Sequence, residues 1–245
     1  MSPSHRYAML LDGAFVIRKL GAALGAFPTA QDVDALATAI GAHDCVSGLS
    51  RLRVYFYHAR PATGVLVNPI SKQQIELGAT RVHADHDELL GSLEMMPDFA
   101  LRLGEANTLG WKIGDGAFRS LMRTPRLIQA DDLVPAIEQK GVDLRIGLDI
   151  ARLALMHAVD VIVVATGDSD LVPAFKFARR EGLRVFLCHL GHGVKRELKV
   201  HADRNIQIAL PKPMPPPQET WGQHGNDTVG DRVRLNMQVI DAATR

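Results

Sequence analysis

The sequence predicts an α/β protein with a central, mainly parallel sheet flanked by helices. Two observations lead to this prediction. Short apolar runs rich in Val, Ile and Leu alternate with amphipathic segments of helical spacing, a rhythm typical of parallel sheets with right-handed crossovers. Acidic residues also follow several of the apolar runs. Because ligands in open α/β sheets bind beyond the carboxyl ends of the strands, these acids are the first candidates for a functional site.

Five segments have the composition and length of buried or half-buried strands. They are Tyr7–Leu11, Leu52–His58, Val161–Ala165, Arg184–Cys188 and Ile206–Leu210. In the middle of the chain, Phe99–Leu103 and Gly110–Ile113 are two further short strand candidates, because the glycines at 104, 110, 114 and 116 are expected to break longer elements.

The segments between the strands carry helical spacing. Thr29 is the expected cap of the second helix, with Asp32 in its first turn. The predicted helices are Ala14–Leu24, a segment from Thr29 to about His43, Asp85–Met96, Asp131–Gln139, Val142–His157, Leu171–Arg180 and Val194–His201.

The chain has 245 residues, enough for one large α/β domain, which we place at residues 1–210. Within it, residues 60–127 are a possible insertion that covers one side of the site, and 61–69 are expected to be a loop. Residues 211–217 contain five prolines, which predict an extended linker. The rest of 211–245 is expected to be a largely disordered tail. A homodimer through the middle segment or the tail stays open.

The composition of the chain limits the kinds of binding partner that we expect. The net charge of +1 excludes strong global attraction to nucleic acid but leaves a local basic patch possible, and 5% aromatic residues do not suggest a stacking platform for bases. Cys45 and Cys188 form no C-x-x-C pair. With no signal peptide and no apolar run of transmembrane length expected, we predict a cytoplasmic protein without a membrane partner.

Four aspartates form the candidate site. Asp12 follows the first strand, Asp168 and Asp170 lie in the Gly-Asp-Ser-Asp turn after the strand Val161–Ala165, and Asp143 opens a buried helix. Two carboxylates about 4 Å apart repel by roughly 4 kcal/mol at an effective dielectric near 20. A bound cation is the usual compensation, and carboxylate oxygens suit Mg²⁺ or Mn²⁺. The four acids are therefore predicted metal ligands and catalytic residues.

Helix capping is the alternative interpretation of each acid taken alone, because Asp is a favoured N-cap residue. Asp12, Asp168 and Asp170 all precede a predicted helix, but their joint occurrence favours the metal site. Asp149 is a reserve ligand. It follows Asp143 by six residues, which places it about 120° away around an ideal helix, so both side chains cannot easily face one ion.

Three segments resemble the motifs of NYN domains, which belong to the PIN-like nuclease superfamily. They are YAMLLDGAF (Tyr7–Phe15), KGVDLRIGLD (Lys140–Asp149) and VIVVATGDSDLVP (Val161–Pro173). The resemblance extends over residues 6–210 and is strongest to the bacterial LabA/DUF88 branch. It implies a Rossmann-like PIN domain and Mg²⁺- or Mn²⁺-dependent cleavage of RNA, with Asp12, Asp143, Asp168 and Asp170 as the metal cluster.

Several polar groups are candidates for contacts to RNA. Lys140 is close in sequence to Asp143, Ser169 lies within the acidic turn, and Lys176 and Arg179 lie on the following helix. Lys or Arg side chains at such positions can neutralise backbone phosphates. The alternative for Lys176 and Arg179 is a solvated helix face. Arg18 and Lys19 on the first helix have the same two interpretations, and His189 and His192 are expected to be loop residues.

We predict a metal-dependent endoribonuclease that hydrolyses single-stranded or structured RNA through a metal-activated water. One alternative is a non-catalytic RNA-binding or regulatory NYN protein, because many NYN domains have Asn after the first Asp-Gly, where this chain has Ala14 and Phe15. A second is a phosphatase of the haloacid dehalogenase type. That class requires an acid two residues after its nucleophilic Asp, and the corresponding residue is Ala14.

Overall fold

The computed structural model describes residues 5–211. Seven of its strands form one sheet in the order β6-β5-β2-β1-β7-β8-β9, and β3 and β4 form a separate antiparallel hairpin. All neighbours in the large sheet are parallel except β5 and β6. The strands are β1 Arg6–Asp12, β2 Ser50–Ala59, β3 Val65–Val67, β4 Gln74–Glu76, β5 Phe99–Ile113, β6 Leu133–Lys140, β7 Val161–Ala165, β8 Arg184–Cys188 and β9 Arg204–Ile206.

The α-helices pack on both faces of this sheet. They are α1 Gly13–Leu24, α2 Ala30–Gly41, α3 Arg81–Glu94, α4 Asp115–Arg123, α5 Val142–Leu155, α6 Val172–Arg180 and α7 Arg196–Val200. The predicted mainly parallel α/β fold is confirmed. Among residues 5–211, no helix is long and apolar enough to cross a membrane.

Alternate residues of the central strand β1 supply two hydrophobic cores. Met9 and Leu11 pack with α1, α2 and α3 on one face, whereas Ala8 and Leu10 pack with α5 and α6 on the other. Successive side chains of a strand point to opposite faces. The uninterrupted apolar run YAMLL is therefore typical of a strand that is covered on both sides, as in parallel sheets.

Capping explains the start of α2 as predicted. The Thr29 hydroxyl accepts a hydrogen bond from the Asp32 backbone N–H, and the Asp32 carboxylate accepts one from the Thr29 N–H in return. This reciprocal arrangement satisfies two backbone donors that the first helical turn leaves unpaired. The helix ends at Gly41, slightly before the predicted His43.

The two predicted strands at Phe99–Leu103 and Gly110–Ile113 are one continuous strand, β5. The prediction that glycines break this segment was wrong. Gly104 lies where a Cβ atom would come within 2.5 Å of the Lys140 carbonyl oxygen, so glycine permits close approach of β6. Gly110 has φ 92° and lies at a register shift in the β5–β6 pair. Both are known roles of glycine inside strands.

The predicted helix Asp131–Gln139 was also wrong, because the segment is the edge strand β6. Its acidic start forms a short 3₁₀ turn, Ala130–Asp132. Pairing with the long strand β5 decides the conformation of this segment. Proline has no backbone N–H, and an edge strand tolerates Pro135 because one side of the strand forms no hydrogen bonds to a neighbouring strand. The sequence pattern alone did not reveal this pairing.

Several element boundaries also differ from the prediction. The expected loop at 61–69 includes the short strand β3. The last strand is Arg204–Ile206 and not Ile206–Leu210. The predicted helix Val142–His157 ends two residues early, at Leu155, whose side chain is 60% exposed at the helix end. The predicted domain limits remain predictions, and residues 212–245 of the predicted tail lie outside the described residues.

Candidate metal centre at the carboxyl edge of the sheet

The central strands bring the first acid and the acidic turn together. β1 and β7 are adjacent and parallel, with Leu11 paired to Ala165. The next residues along the two strands are Asp12 and Thr166, and the Gly-Asp-Ser-Asp turn follows directly. Because parallel strands end at the same edge of a sheet, Asp12 and the acidic turn meet at this edge.

Asp12 is a buried carboxylate at the junction of β1 and α1, with 9% exposure. It is the N-cap of α1 and accepts hydrogen bonds from the Phe15 N–H at 3.2 Å and the Thr166 hydroxyl at 3.0 Å. The pKa of Asp12 is raised to about 6, chiefly by burial; the two hydrogen bonds oppose this shift, and the charges of Asp143 and Asp168 add to it. Burial and the neighbouring carboxylates therefore outweigh the two hydrogen bonds.

Thr166 links the two strand ends and was missed in the sequence. Its hydroxyl donates to Asp12 and accepts a hydrogen bond from the Asp168 N–H at 3.1 Å. The residue is fully buried. The sequence contains only a weak indication of this role, because Thr166 is a single hydroxyl residue between the apolar run Val161–Ala165 and the Gly-Asp pair. Thr166 is therefore a positioning residue for two of the predicted ligands.

The turn after β7 combines capping with a possible ligand role. The Asp168 carboxylate accepts a hydrogen bond from the Asp170 N–H at 2.9 Å and caps the 3₁₀ turn Ser169–Leu171, which leads into α6. Asp170 is exposed, and Asp168 and Ser169 are partly buried. The capping interpretation is thus confirmed for Asp12 and Asp168. It does not exclude a second role, because each carboxylate oxygen has two lone pairs.

Asp143 reaches the same region from the first turn of α5. Gly141 precedes this helix with φ 75°, a left-handed conformation that glycine adopts without strain. Although the Asp143 side chain is exposed by surface area, the surrounding protein still desolvates it enough to raise its pKa. The charges of Asp168 and Asp170 raise the pKa further. All four predicted acids are therefore electrostatically coupled.

Asp149, the reserve ligand, does not belong to this group. Its carboxylate accepts hydrogen bonds from the Tyr57 hydroxyl and the Arg102 guanidinium, both at 2.9 Å. This partly buried ion pair ties α5 to β2 and β5. The angular argument against Asp149 as a second ligand on the same helix is consistent with this position.

The predicted basic contacts lie at different distances from the acids. Lys140 is exposed at the end of β6 and pairs with Glu138 at 3.7 Å. Lys176 pairs with Glu197 at 3.5 Å and Arg179 with Asp203 at 3.0 Å. Since a helix rises 1.5 Å per residue, Arg179 lies roughly 10 Å along α6 from Val172, the first residue of that helix. Of these cations, Lys140 is closest in the chain to an acid of the site.

A second cationic group borders the site on the side of α1. Arg18 and Lys19 lie 6.0 and 5.9 Å from the Phe15 ring centroid, and His192 packs edge-on against that ring at 5.9 Å. A Cβ atom on Gly167 would meet both His192 and Phe15 at 2.9 Å, so these rings lie directly on the backbone of the acidic turn. From the sequence alone, Arg18 and Lys19 had two interpretations, phosphate contacts or a solvated helix face.

The donor chemistry fits a hard divalent cation that keeps most of its water. In the described part of the chain, no three His, Cys, Asp or Glu side chains stand together as a ready-made metal-binding group. Mg²⁺, however, is often held by one or two carboxylates together with waters and substrate phosphates. Asp12 and Asp168 are coupled through Thr166, and Asp143 faces their charges. Burial, and after it the neighbouring carboxylates, raises the pKa values of Asp12 and Asp143, and a bound cation would offset both effects.

The mainly parallel sheet with acids at its carboxyl edge defines an α/β protein. The family model of the NYN domain matches residues 117–209, a segment that includes three of the four acids. This segment of the chain is therefore similar to an NYN domain. Assignment to one branch of that family remains a prediction.

No curated protein matches the chain. Among solved structures, the chain is similar to a protein of unknown function from Vibrio parahaemolyticus RIMD 2210633, with 15% identity and a TM-score of 0.48 over 85% of this chain and 96% of that one.

Proposed function

We propose that this protein is a metal-dependent endoribonuclease of the NYN domain family. The observation that carries the proposal is the coupling of Asp12, Asp143, Asp168 and Asp170 at the carboxyl edge of the sheet, where the first two carboxyl groups have raised pKa values. Such perturbation at a sheet edge marks a functional-site candidate. RNA as the substrate and Mg²⁺ or Mn²⁺ as the cofactor are part of the proposal.

Each residue has a proposed role. Asp12, Asp143, Asp168 and Asp170 would hold the ion, which when bound would supply Lewis-acid activation of water and stabilise charge on the phosphate. Thr166 positions Asp12 and the Asp168 backbone.

Phosphates are the proposed partners of the basic groups around the acids. Lys19, Arg18 and Lys140 flank the carboxylates, and cations at such positions offset the charge of the RNA backbone. Ser169 within the acidic turn stays a candidate contact to RNA, as do Lys176 and Arg179 further along α6.

The test is cleavage of labelled single-stranded RNA by the purified full-length chain with Mg²⁺ or Mn²⁺. Asp12→Asn and Asp168→Asn should each reduce cleavage at least a hundredfold, because a neutral amide is a poor ligand for a hard cation. Asp44→Asn is the matched control, since Asp44 is exposed in the loop after α2. Equal cleavage by all variants would identify a contaminating nuclease and end the proposal.

A non-catalytic RNA-binding protein is the second candidate. It is favoured by the state of Asp12, since both carboxylate oxygens already accept hydrogen bonds from the protein, as in a purely structural cap. RNA binding that persists in Asp12→Asn and Asp168→Asn, without cleavage by the unmodified protein under any metal condition, would favour this candidate.

A further inference from the structure

A cavity of about 350 Å³ lies next to the acidic site and takes no part in the function described above. Its wall is formed by α1, the end of β2 and the loop after it, β4, the first two turns of α3 and the β5–β6 pair. Apolar side chains form most of its wall, among them Ile17, Ile75, Pro135 and Ile137. A volume of this size with mainly apolar walls is typical of small-molecule sites.

Trp111 contributes aromatic surface to the wall of the cavity. Its indole nitrogen has almost no accessible surface and no acceptor among residues 5–211, so the N–H does not open into the cavity. A ligand in the cavity therefore meets the apolar part of the Trp111 ring, against which a flat group can pack.

Two stacked histidines add polar groups that are neutral at pH 7. His58 and His86 both line the cavity, with ring centroids 5.2 Å apart and planes 11° apart. Burial lowers the pKa of His58 to about 3, with a further contribution from His86, and burial also lowers the pKa of His86. His86 Nδ1 lies 2.8 Å from the Val82 carbonyl and must donate to it, which leaves Nε2 as an acceptor.

The mouth of the cavity carries positive charge and adjoins the acids. Arg60 and Arg81 are exposed and line it, with Arg81 also 3.6 Å from Asp85. Ala14 lines it as well. Consecutive Cα atoms are 3.8 Å apart, so the Cα of Ala14 lies within about 7.6 Å of that of Asp12. The small side chain at position 14, which weakened the resemblance to NYN domains, here forms part of the wall.

We propose that this cavity binds one nucleobase of the RNA, with the attached phosphate at Arg60 and Arg81. A nucleobase is flat and uncharged and carries N–H donors, which matches the aromatic ring of Trp111 and the acceptor Nε2 of His86 in a wall without carboxylates. The identity of the ligand rests on the proposed function, because the adjacent acids are the proposed cleavage site. The cavity would thus hold a base close to the phosphodiester that is cut, and would give the enzyme a base preference.

Binding of single nucleotides tests this inference without metal and without cleavage. In the full chain with Trp221→Phe, Trp111 is the remaining tryptophan and reports on the cavity. The four ribonucleoside 5′-monophosphates are titrated while tryptophan fluorescence is recorded, with ribose 5-phosphate as the control that lacks a base. At least one nucleotide should change the fluorescence and bind at least tenfold more tightly than ribose 5-phosphate.

Two variants show whether the cavity is the binding site. Ala62→Phe fills it from the loop after β2, and should weaken nucleotide binding more than tenfold, whereas the matched change Ala62→Ser should leave it unchanged. Trp111→Phe, measured by calorimetry, should weaken binding roughly three- to tenfold, because the smaller ring offers the base less contact area. Equal affinity for ribose 5-phosphate, or unchanged affinity in both Ala62→Phe and Trp111→Phe, overturns the inference.

The outcomes separate this inference from the proposed function. Nucleotide binding that Ala62→Phe and Trp111→Phe weaken, in a protein that never cleaves RNA, supports the base site and rejects the nuclease. Cleavage that depends on Asp12 and Asp168, without base-dependent nucleotide binding, supports the nuclease and rejects the base site.

Discussion

Replacing Asp12 with Asn should stabilise the protein at neutral pH while it removes a proposed catalytic group. The carboxylate is buried next to other acids, and its pKa is raised from 3.8 to about 6. Asn has almost the same shape and no charge. Its carbonyl oxygen can still accept the hydrogen bond from the Phe15 N–H, so the cap of α1 is retained.

The magnitude follows from the linkage between protonation and folding. The difference between 3.8 and about 6 corresponds to roughly 3 kcal/mol at about 1.4 kcal/mol per pKa unit. Loss of the Thr166 hydrogen bond to the carboxylate offsets about 1 kcal/mol of this. The expected net gain for Asp12→Asn is about 2 kcal/mol at pH 7.5, or roughly 4–8 °C in Tm for a chain of this size.

The sign of the pH dependence distinguishes this explanation from a simple change in packing. The folded state holds the Asp12 proton up to about pH 6, whereas the unfolded state releases it near 3.8. The folded state therefore binds more protons in this window, and the stability of the unmodified protein falls as pH rises through it. The advantage of Asp12→Asn should be full above about pH 6 and absent near pH 4.

Denaturant unfolding at a series of pH values between 4 and 8 measures this difference, with Asp44→Asn as the control that should stay within about 0.5 kcal/mol of the unmodified protein. Mg²⁺ should raise the Tm of the unmodified protein but not that of Asp12→Asn. A loss of stability in Asp12→Asn at both ends of the pH range would refute the reasoning, because the hydrogen bonds of the carboxylate would then outweigh its burial and the neighbouring charges.

Three further predictions concern residues around the site. Thr166→Val should lower the free energy of unfolding by about 1–3 kcal/mol, because the Asp168 N–H loses its acceptor and the Asp12 carboxylate loses a donor. The same substitution should lower RNA cleavage. If both denaturant unfolding and the cleavage assay gave unchanged values, the bridging role of Thr166 would be contradicted. Asp149→Asn should lower the free energy of unfolding by about 1–2 kcal/mol, because it weakens the ion pair with Arg102. Cleavage per folded molecule should equal that of the unmodified protein. A loss of cleavage would instead show that Asp149 is a metal ligand. If Lys19 contacts one phosphate, Lys19→Gln should reduce the slope of log affinity for RNA against log salt concentration by roughly 0.7, as measured by fluorescence anisotropy. Arg180→Gln, at the far end of α6, is the control. An unchanged slope in Lys19→Gln would exclude the contact.

Local sequence was sufficient to predict the elements that carry the site. The run YAMLL followed by Asp-Gly and the run VIVVA followed by Thr-Gly-Asp each contain a strand, its end and a capping acid within about ten consecutive residues. Strand period, helix capping and the left-handed conformation at Gly141 depend on neighbours in the chain. The positions of Asp12, Asp143, Asp168 and Asp170 at element boundaries therefore follow from the sequence alone.

Contacts between distant segments of the chain determined which residues share the site, the cavity and the β5–β6 pair. The hydroxyl of Thr166 reaches Asp12 across 154 positions of the chain, and Asp149 meets Arg102 across 47. β6 is a strand because β5 pairs with it, although its acidic start favoured a helix. The cavity exists only because α3 and the β5–β6 pair close over the end of β2. Sequence periodicity reports how a segment relates to its own neighbours, whereas the tertiary structure determined which side chains share one site.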